Sequence, residues 1–231
     1  VLVPASDDLR RREDFVVTLP EQYALFDHIR EAAGLRLADV VADLLPRVAD
    51  ELQSLPEQAQ PLQSEMALAE AALVLRDEID LRTESAVGAL DEFHFRSLQE
   101  PRGPASPPAR PSGFELVTDA ALSDQIVAQN LATRAREALE EAYPAYLSRL
   151  AQLTGGEADE DRCPLGAKAL AVALVSALRP FSSDPLTRDR VEAALQKHAV
   201  IPIREMIAAA DRRMVAQGVL STLPRIVVFP G

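Results

Sequence analysis

The chain has 231 residues, of which 48% are apolar and only 4% aromatic, and its formal net charge is −12. This acidic balance excludes a sequence-independent binder of nucleic-acid backbones, which needs clustered Lys and Arg, and it disfavours binding to an anionic membrane. Because Trp is absent and Ala is abundant, the core is expected to consist of packed helices.

Two further features limit the location of the protein. The single cysteine, Cys163, can form neither an internal disulfide nor a structural zinc site, which fits a reducing cytoplasm. The longest apolar run, Ala169 to Leu178, is about half the length that spans a bilayer, so no membrane insertion is expected. Since the chain begins with Val1 instead of Met, we expect it to be part of a longer protein.

The first predicted helix begins at Thr18-Leu-Pro-Glu21, which has the spacing of a capping box. Gly34 is expected to end this helix in the left-handed conformation. A second helix is predicted from Leu37 to Leu55, and Pro46 inside it is expected to kink or split it.

From about Ser64 to Leu98 neither proline nor a strong turn signal appears, which predicts one helix roughly 50 Å long. Its charged residues, including Arg76 and Arg82, are expected on the outer face. A helix of this length needs a packing partner, which is either the preceding helices or a second copy of the chain. The apolar residues close to a heptad repeat are Leu68, Ala72, Leu75, Ile79, Ala86, Leu90 and Phe93.

Residues 100–113 contain five prolines and two glycines, which predicts an extended connector. The chain therefore divides into an N-terminal helical region over 1–99, a Pro-rich linker over 100–113 and a C-terminal helical domain over 114–231. The predicted fold is all-α, with two helical bundle-like halves joined by this connector.

In the C-terminal half, a helix is predicted from about Asp119 to Leu153, interrupted near Asn130 and bent near Pro144. The almost wholly apolar segment from Ala167 to Leu178 is expected to be the central helix. The next helix is predicted from Leu186 to Ala199, and after Pro202 an apolar stripe runs from Ile203 to Met214. Val227 to Phe229 is either one short strand or a docked tail.

No group of residues predicts catalysis. The three histidines, His28, His94 and His198, lack a nucleophile at a spacing that would indicate a paired site, and His198 is expected in the core. The acidic loop from Glu157 to Asp161 lacks the ligand pattern of a calcium loop. We therefore expect no catalytic residues, no metal and no cofactor.

Ligand binding by arginines between helices is an alternative to catalysis, because the guanidinium group suits phosphate recognition. The residues considered for a nucleotide or cyclic-dinucleotide site are Arg134, Arg136, Arg212 and Arg213. The competing interpretation is ordinary ion pairing, for example between Arg136 and Glu140 at helical spacing.

Several segments of the C-terminal half resemble a proteobacterial family, domain-of-unknown-function family 1631. These segments are Leu116-Val-Thr-Asp, Asn130-Leu-Ala-Thr-Arg-Ala, Leu150-Ala-Gln-Leu-Thr-Gly-Gly and Pro164-Leu-Gly-Ala-Lys-Ala-Leu, and the similarity covers about residues 114–220.

The resemblance implies a long, mostly helical cytoplasmic protein. Some members are linked to PilZ-type cyclic-di-GMP-binding domains, which implies a regulatory role in second-messenger signalling. The PilZ arginine motif itself is not present in this chain, and an older thymidine-phosphorylase-like label has no support in these residues.

The favoured hypothesis is a non-enzymatic helical regulatory or adaptor module of a bacterial signalling protein. It would act by binding proteins, with a homodimer through the 64–98 helix as one form. The alternative is a nucleotide or cyclic-dinucleotide receptor that uses the four arginines. A hydrolase or transferase with carboxylates far apart in sequence is the least favoured hypothesis.

Overall fold

The computed structural model describes residues 19–54, 62–99, 119–140, 142–154, 160, 163–178 and 185–220. Within these ranges the chain forms seven α-helices and no strand, which confirms the all-α prediction. The helices are α1 (Leu19–Ser54), α2 (Leu62–Asp77), α3 (Ile79–Gln99), α4 (Asp119–Glu137), α5 (Ala142–Thr154), α6 (Ala167–Ser176) and α7 (Pro185–Ala216).

Helix α1 is one helix of 36 residues, where the sequence predicted two. The prediction that Gly34 ends a helix was wrong, and Pro46 does not split the helix. The apolar side chains from Leu37 to Leu52 remain buried on both sides of the proline. Burying this stripe offsets the roughly 3 kcal/mol that a proline costs inside a helix.

The predicted helix over 64–98 is present as α2 and α3, which meet at Glu78. Helical hydrogen bonds continue through the junction, from the Glu78 amide to the Val74 carbonyl and from the Arg82 amide to the Glu78 carbonyl, each at 3.0 Å. The heptad face, including Leu75 and Leu90, is buried against α1 and α6. This face therefore has its packing partner within the same chain.

Arg82 was wrongly predicted on the outer face. Its side chain is 2% exposed and joins the two halves of the chain, because one guanidinium nitrogen donates to the Ala177 carbonyl at 2.9 Å. A second nitrogen pairs with Glu78 at 2.9 Å. The carbonyl of Ala177 lies at the end of α6, so the arginine caps that helix. The four-residue spacing between Glu78 and Arg82 predicts that both lie on one face of a helix, but it does not reveal that the Arg82 side chain is buried.

The interruption predicted near Asn130 was wrong, because α4 continues to Glu137; the break lies at 138–140, close to the bend predicted near Pro144. Pro144 explains this position, because a proline excludes the carbonyl four residues earlier from a helical bond. That carbonyl belongs to Glu140, whose φ of 46° lies in the left-handed region. Pro144 consequently lies in the first turn of α5, where its missing amide is tolerated.

Helix α6 lies at the centre of the fold, as predicted. Seven of its ten residues are buried, and it packs against α3, α4 and α7. At its N-terminus the Ala167 amide donates to the Tyr143 hydroxyl at 3.0 Å. At its C-terminus Ser85 and Ser176 exchange hydrogen bonds between side chain and backbone, at 3.2 and 3.3 Å. Both ends are therefore fixed by other helices.

Helix α7 runs through Pro202 without a break, so the separate helix predicted to stop at Ala199 was wrong. The predicted stripe from Ile203 to Met214 is confirmed, since its apolar side chains are buried. The helix ends at Ala216, and in the turn that follows Gly218 has a φ of 79° and the Val219 amide donates to the Met214 carbonyl at 3.0 Å.

The two halves share one hydrophobic core, in which α1 packs on α7 and α3 packs on α6. The connector over 100–113 and the segment from Val227 to Phe229 lie outside the described residues. Within the described ranges, no helix has the length and apolar content needed to cross a bilayer.

Candidate functional site

The four arginines of the predicted ligand site do not form one cluster. Arg134 is exposed on α4 and donates to the Gln196 carbonyl of α7 at 3.3 Å. Arg212 and Arg213 lie exposed near the other end of α7. Since sixteen residues of the same helix separate Gln196 from Arg212, the two positions are about 24 Å apart along its axis.

Arg136 is half-buried and engaged within the fold. It pairs with Glu160 at 2.6 Å and donates to the Thr133 hydroxyl at 2.8 Å. The sequence suggested Glu140 as its ion-pair partner, but Glu140 lies in the left-handed turn after α4. Arg136 therefore connects Glu160 to α4, and binding a phosphate would require breaking this pair.

The histidines also have structural surroundings. His28 is exposed, whereas His94 is 7% exposed and stacks on Phe26 with ring centroids 5.3 Å apart. Burial, together with the nearby Arg30, lowers the pKa of His94. Among the described residues, no group of three His, Cys, Asp or Glu side chains is arranged to hold a metal ion.

His198 is not the core residue that the sequence suggested. It is half-buried, and its Nε2 lies 2.5 Å from Glu51 of α1, which also accepts from Lys197 at 2.9 Å. The hydrogen bond from Lys197 is the largest cause of a lowered pKa at Glu51, and the bond from His198 adds to it. This cluster connects the C-terminal part of α1 to the middle of α7.

Beside this cluster, a cleft of about 390 Å³ lies between α1 and α7. Arg47 pairs with Asp43 at 2.6 Å, and Arg36 lies 3.9 Å from Asp39. The cations of the lining are matched by an equal number of carboxylates, so the cleft has no excess charge that would select an anion. The lining residues are Arg36, Asp39, Val40, Asp43, Leu44, Arg47, Lys197, His198, Ile201, Pro202 and Glu205.

Cys163 and two tyrosines form a buried structural cluster. The Tyr146 hydroxyl donates to the Leu165 carbonyl at 2.9 Å, and the Tyr143 hydroxyl accepts from the first amide of α6. Burial raises the pKa of both tyrosines. Together these two hydrogen bonds hold the turn before α6 in place. Gly166 is therefore an ordinary start of that helix.

The most unusual surface lies on the exposed side of α2 and α3. At intervals of seven to eight residues it presents Met66, Leu73, Leu81, Gly88 and Phe95. The four large side chains are 67%, 56%, 62% and 60% exposed, in chain order. At 100° per residue these positions fall within an arc of about 80°, because the helical bonds continue through Glu78.

Exposed acidic side chains alternate with the stripe residues. At 100° per residue Glu70, Asp77 and Glu84 fall within the same arc, and Asp80 and Glu92 lie about 20° outside it on opposite sides. We refer to these five acids and the five stripe residues as the acidic-apolar face. The whole of 62–99 contains eight acidic residues, three arginines and no lysine. Of the arginines, Arg82 is buried and Arg76 bonds Asp50 of α1, so little positive charge remains on this face.

The sequence interpretation missed this second stripe because it followed the heptad that forms the core. The signal was present in the spacing of Met66, Leu73, Leu81 and Phe95, which repeats about every two turns on the side opposite the core heptad. Single exposed apolar residues are common on protein surfaces, but a row along one helix face is typical of an interaction site.

A family model matches most of the chain. The family model described as "Protein of unknown function (DUF1631) N-terminal domain" matches residues 21–218. The chain belongs to the DUF1631 family. The match extends the predicted resemblance into the N-terminal half, so α1, α2 and α3 are part of the DUF1631 N-terminal domain.

Two other comparisons found no similar protein. Neither a curated protein nor a solved structure matches this DUF1631 domain. The acidic-apolar face lies wholly within the matched residues.

Proposed function

We propose that this DUF1631 domain is a non-enzymatic helical adaptor module that binds another protein through its acidic-apolar face. The observation that carries the proposal is the row of four large apolar side chains, each more than half exposed, on one side of α2 and α3. Covering such side chains in a complex gains roughly 25 cal/mol per Å² of apolar surface removed from water.

The packing of other helices behind the acidic-apolar face favours a binding role. Behind the stripe, α2 and α3 are packed on α1, and α3 also packs on the central helix α6. Arg82 and the paired serines Ser85 and Ser176 fix α3 to the end of α6. A partner would therefore meet a surface whose backbone is already ordered, which reduces the entropy lost on binding.

A homodimer through the 64–98 segment is the first form of partner to consider. Its heptad face is already occupied within the chain, so a second copy would have to use the acidic-apolar face. Two copies would then bring the carboxylates of the two faces together, and like charges in an interface oppose association. A different protein is therefore the favoured partner.

The regulatory context of the proposal comes from the family resemblance, which implies a cytoplasmic protein linked to cyclic-di-GMP signalling. The alternative, a nucleotide or cyclic-dinucleotide receptor, predicts heat in calorimetric titrations with such ligands. That heat should be lost in the variant Arg134→Ala/Arg136→Ala. Titration of the unchanged protein without detectable heat would remove the alternative.

Site-specific photo-crosslinking tests the proposed interface. A photo-reactive phenylalanine analogue at position 73 or 81 is expected to give a discrete protein adduct in the native cells. Position 122 on α4 is a matched control, because Leu122 is 51% exposed but lies outside the face. Adducts of equal yield at 73, 81 and 122, or none at 73 and 81, would contradict the proposal.

A further inference from the structure

We infer that the partner of the acidic-apolar face is an amphipathic helix with basic residues beside its apolar ones. This inference rests on the proposed function and names the chemistry of the partner. It follows from three properties of the face: its length, its charge and a notch at Gly88.

The length and straight course of the stripe indicate a helical partner. From Met66 to Phe95 the stripe covers 29 residue steps, or about 44 Å of helix. Its spacing of seven or eight residues matches the interval at which two neighbouring helices meet again. An extended peptide has a period of two residues and would not follow this interval.

The charge of the face selects a basic partner. Exposed carboxylates alternate with the apolar residues along the stripe, among them Glu70, Asp77 and Glu84. Arg96 is the one exposed basic side chain that the structure describes on α2 and α3, and it already pairs with Glu92. Lys or Arg beside the apolar residues of a partner helix would complement this surface, and like charge would repel an acidic helix.

Gly88 makes a notch in the middle of the stripe. A Cβ atom added there would meet nothing within 4 Å, so the space above the backbone is open. Leu81 and Phe95 stand one interval away on either side. Since packed helices place a large side chain of one into a gap of the other, the partner is expected to insert a bulky apolar residue opposite Gly88.

A pair of synthetic peptides tests this chemistry on the full chain. The probe is a helical peptide of about 28 residues, or about 42 Å, with leucines at heptad spacing and lysines beside them. Its twin carries glutamates in place of the lysines. Fluorescence anisotropy is expected to show binding of the lysine peptide at least about tenfold tighter than binding of the glutamate twin. Binding should weaken as salt rises from about 0.05 M to about 0.5 M.

Matched variants locate the binding. The double substitution Leu73→Lys/Leu81→Lys should weaken binding of the lysine peptide at least about tenfold, because it removes two central apolar contacts. Leu122→Lys/Ile126→Lys adds the same charge at two similarly exposed positions of α4, and should change affinity by less than about threefold. Gly88→Phe should fill the notch and weaken binding about tenfold, whereas Gly88→Ala adds only a methyl group and should change it less. Urea unfolding confirms that each variant is folded.

Two results would overturn the inference. One is equal or tighter binding of the glutamate peptide, or equal loss in both double variants. The other is dimerisation in light scattering that Leu73→Lys/Leu81→Lys abolishes, because the occupant would then be a second copy of the chain. If the lysine peptide does not bind but crosslinks form at positions 73 and 81, the adaptor function is retained and the basic helical partner is rejected. If those crosslinks do not form either, both proposals are rejected.

Discussion

The substitution Gly34→Ala distinguishes the observed fold from the fold that local sequence signals predict. In the structure Gly34 lies inside α1 with a right-handed helical backbone, and a Cβ atom would meet nothing within 4 Å. Alanine is favoured over glycine in a helix interior by about 0.8–1.0 kcal/mol. With no steric cost to subtract, we expect a gain of about 1 kcal/mol in the free energy of unfolding.

The opposite sign is expected if Gly34 ends the helix in the left-handed conformation. Alanine at positive φ is strained, and the substitution would then lower stability by about 1 kcal/mol or more. The two outcomes therefore differ by about 2 kcal/mol. In a domain of this size each kcal/mol corresponds to about 2–4 °C in the melting temperature.

Urea unfolding followed by circular dichroism measures the effect, with two other glycines as controls. Gly88→Ala should also stabilise, because Gly88 is helical and its surroundings are open. Gly166→Ala should destabilise, because its Cβ would lie 3.0 Å from the Cβ and 3.2 Å from the carbonyl oxygen of Cys163. If Gly34→Ala destabilised while Gly88→Ala stabilised, a continuous α1 would be refuted.

Three further predictions concern buried polar groups. Arg82→Met should lower the free energy of unfolding in urea by about 2–3 kcal/mol, because the Ala177 carbonyl loses a buried donor. Arg47→Met is the control: it breaks an exposed ion pair and should lower that free energy by under about 0.5 kcal/mol. Tyr146→Phe removes a buried bond and should lower the melting temperature by an amount equivalent to about 1–2 kcal/mol. Burial lowers the pKa of His94 below its ordinary 6.5, so its neutral form stabilises the fold above pH 6.5 and this contribution disappears as the pH falls. The stability of the wild type should therefore fall more steeply than that of His94→Phe between pH 7 and pH 5, and parallel curves would count against this assignment.

The helix-breaking signals show where local interpretation fails. Pro46 and Pro202 both lie inside continuous helices, whereas Pro144 coincides with a real break. All three remove one backbone donor, so the local chemistry is the same. They differ in the backbone before them, since α1 and α7 stay helical across Pro46 and Pro202, whereas Glu140 before Pro144 has a φ of 46°. Buried apolar residues lie on both sides of all three prolines, so neither the proline nor the apolar pattern identifies the one at which the helix ends.

Burial of charged groups was equally hidden from the sequence. Arg82 lies among acidic residues at helical spacing, a pattern typical of a solvated face, yet it caps α6 from the other half of the chain. Glu51 and His198 are 147 positions apart, and only the packing of α1 on α7 brings them together. Contacts between residues so distant in sequence follow from the arrangement of helices, which period and composition do not specify.

A helical protein, a central helix over Ala167 to Leu178 and a resemblance to the DUF1631 family could all be predicted from the sequence. These predictions rest on apolar periodicity, the near absence of polar side chains in one segment and distinctive local motifs. The continuity of α1 and α7, the dispersal of the four arginines and the covering of the core heptad of α2 and α3 became apparent from the packing of the helices. Periodicity shows which faces are apolar, whereas packing determines which of those faces are covered. The face that the described residues leave uncovered, with Met66, Leu73, Leu81 and Phe95, is therefore a property of the fold.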